Sequence, residues 1–246
     1  MTNKPPKTVF ISGISSGIGR AAAIKFLESG YRIKGCGRSA KEKIQPALPD
    51  QIEYIECDIS NPSQISKIAP AFENVDILIN NAGLGLGLGH FDTHLPSDLP
   101  TLINTNVFGL MEMTRLTIPP MRKRGTGHII NIGSIAGYET YENGALYCAT
   151  KAAVHAFTRG LKKDLTGSGI RVSLIAPGKV ETNFSTVRFR GDKEKAKKAY
   201  EGYRPLKPEN IAETIFWIAT QPPHVEITEI TILATDQQDA AKIRPV

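Results

Sequence analysis

The sequence predicts an α/β chain with a doubly wound, parallel, seven-stranded sheet and helices on both faces. Three observations carry this. Short apolar runs alternate with stretches of helical spacing from residue 8 to residue 233, and such alternation means β-α-β units in a parallel sheet. A glycine-rich turn, residues 13–19, joins the first apolar run to the first helical stretch. No break in composition divides the 246 residues, so 1–246 reads as one domain.

The elements follow in order. Residues 8–12 are the first strand, and the helix over 20–29 is closed by Gly30, a residue suited to a left-handed helix end. Residues 32–36, 52–57 and 75–80 are strands two to four, with helical spacing over 62–72. A long helix covers 99–121 and ends around Pro119 and Pro120, because an interior proline removes a hydrogen bond and clashes with the preceding turn. Residues 127–133 are the fifth strand. A strong helix spans 145–165, closed by Gly167 and Gly169; 170–176 is the sixth strand, 209–220 a helix and 226–233 the seventh strand. Acid and base alternate over 192–198, which reads as a solvated helix. The Gly-Leu tract 83–89 reads equally as a mobile loop beside a site or as a permissive surface loop. Ligands of such a fold lie at the carboxyl ends of the strands.

Composition narrows the partners. Apolar residues make up 41% and charged residues 22%, ordinary for a soluble globular protein. The net charge is +6, but the basic residues are scattered apart from 122–124 and 192–198, and no nucleic-acid-binding signature is present. Small anionic ligands fit better than nucleic acid. The polar stretch 1–7 does not read as a signal peptide, and no apolar run approaches the ~20 residues of a membrane span. Cys36, Cys57 and Cys148 form neither a disulfide framework nor a zinc pattern, which suits a reducing cytoplasm. Cys148 reads as a small buried apolar side chain. His90 and His94 are spaced four apart, as zinc ligands can be, but have no third partner. They read as solvent-facing, and no metal is expected.

Two groups of residues carry chemistry. Ser12, Gly13, Ser15, Ser16, Gly17, Ile18 and Gly19 follow a strand and open a helix. Glycines let backbone approach a pyrophosphate, and the helix start offers it free N–H groups. After the second strand, where an acid would hold a ribose 2′-hydroxyl, stands Arg38; a guanidinium accommodates a 2′-phosphate, so NADP is favoured over NAD. The second group is Tyr147 and Lys151, four apart on one helix face. Hydride transfer to a carbonyl leaves an alkoxide that needs a proton. A tyrosine beside an ammonium can give it, its pKa lowered from about 10 by roughly 1–3 units. Ser134, ending the fifth strand, supplies a hydroxyl for the substrate oxygen. Taken singly, Tyr147 reads as a packed aromatic.

The ordered set Ser12–Gly19, Asn80-Asn81-Ala82-Gly83, Asn106, Ser134, Tyr147-x-x-x-Lys151 and Pro177-Gly178 resembles the short-chain dehydrogenase/reductase family over nearly the whole chain, a single-domain Rossmann fold. The resemblance implies Tyr147 as acid/base, Lys151 lowering its pKa and holding the nicotinamide ribose, Ser134 positioning substrate, and Asn106 holding a relay water. It implies further cofactor contacts from Asp58, Ile59, Asn81, Ala82, Gly83, Pro177, Gly178, Val180 and Thr182. Asn80 matches a residue that steadies the sheet. Two departures are Ser12, where threonine is usual, and Ser16, where some NADP-using members carry a base.

The segments 183–192, 200–202, 205–213 and 217–222 are similar to those of NADP-dependent 3-hydroxy acid dehydrogenases, a subgroup that includes serine and allo-threonine dehydrogenases. That implies oxidation of a 3-hydroxy acid, or reduction of its semialdehyde, beneath a covering region of about 179–208. Arg188, Arg190 and Arg204 lie there; guanidinium suits a carboxylate or sulfonate, and Arg188 is the favoured substrate contact. Lys179-Val180-Glu181-Thr182 departs from relatives that carry a methionine near this position and a longer loop. The alternatives are a reductase of another small carbonyl, such as a sulfonated aldehyde or diketone, and a regulatory NADP-binding protein without catalysis. The family also implies a homotetramer packed through the helices bearing Asn106 and Tyr147, with Val154, Phe157 and Leu161 as apolar residues beyond one stripe.

Overall fold

The computed structural model describes residues 5–244; positions 1–4, part of the polar start, and 245–246 lie outside the described residues. Seven parallel strands form one sheet in the order β3-β2-β1-β4-β5-β6-β7. They are β1 (Thr8–Ser12), β2 (Arg32–Gly37), β3 (Glu53–Glu56), β4 (Ile77–Asn80), β5 (Gly127–Ile132), β6 (Ile170–Pro177) and β7 (Glu229–Ile232). The order reverses direction between β1 and β4, so a crevice opens there at the strands' carboxyl ends.

Helices cover both faces. On one, α1 (Gly17–Glu28) and α8 (Pro208–Ala219) pack Phe26 and Ile215 against Val9, Ile11 and Ile79. On the other, α2 (Pro62–Lys67), α4 (Leu110–Arg124) and α5 (Ala145–Leu165) press Ile65, Met113 and Leu161 onto Phe10, Leu78 and Val172. The central strands are buried on both sides and so read as unbroken apolar runs. Burying each such side chain stabilises the fold by about 1.5–3 kcal/mol.

The long helix expected over 99–121 is three pieces: α3 (Asp98–Ile103), a π-helical stretch Asn104–Gly109, then α4. Gly109 explains the offset, because a Cβ there would sit 2.4 Å from the Ile59 carbonyl oxygen. The wider turn brings chain against chain and carries Asn106. Pro119 and Pro120 do not end α4; it runs to Arg124 and stops at Gly125, φ 66°. The carbonyls the prolines leave without an i+4 donor belong to Arg115 and Leu116, which are not buried and remain open to water. Val154 and Leu161 do not face outward from α5 either; both are buried, Val154 beside Leu110 and Leu174. The outward face carries Ala149, Ala152, Ala156 and Gly160 instead. The stretch of alternating charge forms α7 (Lys193–Lys198), capped by Asp192 accepting from the Lys195 N–H at 3.0 Å. Among the described residues no helix is long and apolar enough to cross a membrane.

Candidate active site

A cleft of about 550 Å³ runs along the carboxyl ends of the strands. Its floor near β1 is backbone. Gly13 has φ 71°, and a side chain there would meet the Ala82 backbone at 2.9 Å. Gly17, φ 55°, faces the Thr182 side chain, whose methyl would lie 3.2 Å from a Cβ there. Ser12 keeps the loop after β4 in place: its hydroxyl accepts from the Asn81 and Ala82 N–H groups, each at 3.1 Å. Asn81 returns two bonds, its amide donating to the Ser12 and Gly13 carbonyls at 3.0 and 3.1 Å. The serine therefore does what a threonine hydroxyl would do. The first turn of α1 holds no acid, so the positive end of its dipole stays uncompensated. Arg38 stands exposed on the rim, and the adjoining Asp58 and Ile59 line the same end. An open glycine floor, a free helix start and a cation at the position of a ribose phosphate together fit NADP.

The other end holds the polar groups. Ser134, Tyr147, Lys151 and Arg188 all line the cleft. Ser134 caps a short 3-10 turn, Ile135–Gly137, its hydroxyl accepting from the Ala136 N–H at 3.1 Å. Lys151 is buried, and its ammonium donates to the Ile132 carbonyl at 3.0 Å. Burial pushes its pKa down to about 8. The ammonium lies 5.9 Å from the Tyr147 ring centroid. Burial raises the Tyr147 phenol above its ordinary value, and Tyr141 adds to this; the Ser134 hydroxyl and the Arg188 charge pull it back. The lowered tyrosine expected from Lys151 is therefore not found, because burial dominates the phenol while that ammonium donates its hydrogen bond to a carbonyl. Arg188 is a second cation on the ring, 5.3 Å from its centroid, and its charge works to lower the phenol's pKa.

Of the expected residues, Gly19 and Asn106 stand behind the cleft wall. A Cβ on Gly19 would lie 2.4 Å from both the Asn81 amide nitrogen and the Gly13 carbonyl oxygen, so its part is close packing. The Asn106 carbonyl oxygen accepts from the Leu84 N–H at 2.9 Å, and its amide donates to the Leu84 carbonyl at 2.8 Å and the Thr150 hydroxyl at 3.1 Å. It ties the segment after β4 to the helix of Tyr147. Asn80 donates to Thr114 and Asn131, at 2.8 and 2.9 Å, inside the sheet.

The three arginines part company. Arg188, on α6 (Phe184–Arg188), donates to the Gly87 carbonyl at 3.2 Å and the Tyr141 hydroxyl at 2.8 Å. Arg190 pairs with buried Asp98 at 2.6 Å, away from the cleft. Arg204 makes a backbone bond to Asp236 at 3.4 Å. His94 is not solvent-facing; it sits 3.3 Å from Asp98 within this same pairing. The 83–89 tract is beside the site, tied down by the Gly87 N–H donating to the Arg188 carbonyl at 2.9 Å. Gly85 must be glycine because the Phe184 ring would lie 2.9 Å from its Cβ. Sequence reading missed Tyr141, Phe184 and Gln237. Phe184 packs edge-on against Tyr147 at 5.5 Å. Gln237 accepts from the Lys179 N–H at 2.9 Å. The spacing of these residues carries no signal, since each reaches the cleft only through the tertiary fold.

Comparison with known proteins agrees with this geometry. The pattern of the short chain dehydrogenase family matches residues 7–193. The NADP-dependent 3-hydroxy acid dehydrogenase of Salmonella typhi is 40% identical over 94% of this chain and 96% of its own. Its namesake from Schizosaccharomyces pombe is 37% identical, covering 98% and 97%. The serine 3-dehydrogenase of Agrobacterium fabrum is 36% identical, covering 95% and 96%. The closed form of a serine dehydrogenase complexed with NADP+ superposes with a TM-score of 0.90 at 37% identity, covering 96% of this chain and 98% of that one.

Proposed function

The chain belongs to the short chain dehydrogenase family, and on that premise we propose an NADP-dependent oxidoreductase acting on the CH–OH group of a small 3-hydroxy acid, or on its semialdehyde. The observation that carries this is the meeting of Ser134, Tyr147, Lys151 and Arg188 in one cleft with the glycine floor and Arg38. Bound NADP supplies or accepts the hydride. The residues that would hold it are Gly13, Ser15, Ser16, Gly17 and Ile18, with Arg38 on the 2′-phosphate. Asp58 and Ile59 serve the adenine end; Asn81, Ala82, Gly83, Pro177, Gly178, Val180 and Thr182 line the path to the nicotinamide.

This chain's own residues then move the proton. Tyr147 gives its phenolic proton to the forming alkoxide in reduction and takes the alcohol proton in oxidation. Ser134 donates a hydrogen bond to the same oxygen. Lys151 holds the ribose and adds positive charge beside the phenol, and Asn106 keeps Leu84 and Thr150 in position behind it. Arg188 takes the substrate carboxylate, its guanidinium already oriented by Gly87 and Tyr141. The test is NADP+ reduction with a panel of 3-hydroxy acids and NADPH oxidation with the matching carbonyls. Turnover with no member of either panel would remove the reading. The assembly we propose is a homotetramer through α4 and α5, the outward alanines of α5 letting another helix approach closely. Light scattering is expected to give a tetramer mass, and Ala152→Glu a smaller one.

A further inference from the structure

We propose that Lys179 is a specificity-determining residue that, with Arg188, selects hydroxy acids bearing two acidic groups over those bearing one. This rests on the reading that the site oxidises 3-hydroxy acids and that Arg188 takes their first carboxylate.

Lys179 follows Pro177-Gly178 at the carboxyl end of β6 and lines the same cleft as Ser134, Tyr147 and Arg188. Its backbone is pinned on both sides. The N–H donates to Gln237 at 2.9 Å, and the carbonyl accepts from the Leu206 N–H at 3.2 Å. The side chain is half-buried, and burial and then the Arg188 charge lower its pKa. The two cations thus line one cleft with Ser134 and Tyr147, and the lowered Lys179 pKa agrees with that placement.

Among the described residues neither cation has an acidic partner. Arg188 spends its donors on two neutral oxygens. Two carboxylates line the cleft, Asp58 and Glu142. Asp58 follows β3, five strand spacings from β6, or about 24 Å at ~4.8 Å each. Glu142 is exposed. Like charges held together in a partly dry site are unfavourable until a counter-charge arrives. A monocarboxylate satisfies one cation and leaves the other unpaired. A second carboxylate satisfies both, whereas the α-ammonium of serine adds positive charge to a cleft that already holds Lys151, Lys179 and Arg188. The same two residues that favour a diacid thus disfavour an amino acid.

The test compares kcat/KM for 3-hydroxybutyrate, 3-hydroxyglutarate and serine at saturating NADP+. The first two share the reacting carbinol and differ by the second carboxylate. The native enzyme is expected to prefer 3-hydroxyglutarate over 3-hydroxybutyrate by about tenfold or more, carried by KM, as for a charge-assisted contact. Lys179→Leu is expected to bring that ratio to about one, and Lys179→Arg to retain it. NADPH fluorescence titration on each variant reports an intact fold and cofactor site. A native ratio of one or less, or a ratio that Lys179→Leu leaves unchanged, overturns the inference while 3-hydroxybutyrate turnover preserves the proposed function. Turnover of none of the three acids by NADPH-binding enzyme overturns both.

Discussion

Beyond β1 the cleft wall is main chain, with Gly13 and Gly17 at positive φ and the loop after β4 held by three hydrogen bonds to Ser12 and one to Gly13. Beyond β6 the wall is side chain, with Arg188 drawn between Tyr141 and Tyr147 and Lys179 lining the same cleft. The first half binds a ligand through backbone donors and a helix dipole, so it needs small residues at fixed places. The second half presents charges whose positions depend on contacts between segments far apart in the chain. A dinucleotide site can thus stay constant in shape while the neighbouring substrate site is re-specified by exchanging single side chains.

The largest expected effect lies where the halves meet. Tyr147→Phe keeps the ring against Phe184 but removes the exchangeable proton. Turnover is expected to fall by about a hundredfold or more, as general acid–base groups supply ~10²–10⁴-fold, with NADPH affinity nearly unchanged. Near-native turnover in a folded variant would sink the mechanism. Next comes Arg38→Ala, confined to the cofactor half. A lost charge-assisted contact costs roughly 1.5–3 kcal/mol, so NADP binding is expected to weaken while NAD binding and substrate KM stay put. Equal losses for both cofactors in titration would remove Arg38 from the 2′-phosphate.

Arg188→Met probes the other half. The substrate KM is expected to rise about tenfold through loss of a charged contact. The same change carries a second readout, because the Arg188 charge pulls the Tyr147 pKa down. Without it the phenol binds its proton more tightly. The pH profile of alcohol oxidation, which needs the phenolate, then moves to higher pH. A KM change with an unmoved profile would separate anion binding from the tuning of Tyr147.

The contrast also explains what the sequence made legible. The seven parallel strands and the glycine loop follow from patterns local in the chain: apolar runs, glycines between a strand and a helix, a helix start. β3, β4, β5 and β7 are one to three residues shorter at an end than expected, β7 shrinking to Glu229–Ile232, because end residues leave the ladder before they leave the apolar run, while β2 and β6 each run one residue further. The π-helical stretch at Asn106 was illegible, since Gly109 against Ile59 is a contact between distant segments. For the same reason Arg188 and Arg190 could not be told apart: two neighbouring arginines are sorted only by Tyr141 and Asp98, which the fold brings to them.

The smallest expected effect concerns how the substrate half is held shut against the 83–98 segment. Arg190, at φ 54°, pairs with Asp98, whose side chain is buried and also accepts from the Leu95 N–H at 3.0 Å. Burial works to raise the Asp98 pKa, but Arg190, Leu95 and His94 outweigh it and hold the carboxyl below its ordinary value. A lowered carboxylate pKa stabilises the fold fully above the unfolded value of about 3.9 and loses that contribution as pH falls through the folded one. The tie is therefore intact at neutral pH. Arg190→Ala, whose arginine is half-exposed, is expected to raise the substrate KM only a few-fold at pH 7, leaving NADPH affinity and the Arg38 dependence untouched. Hydrogen exchange is expected to quicken in 184–191 and 87–95 together. Faster exchange in the 13–19 loop as well would show that the two halves of the cleft are mechanically one, and the division between them would fail.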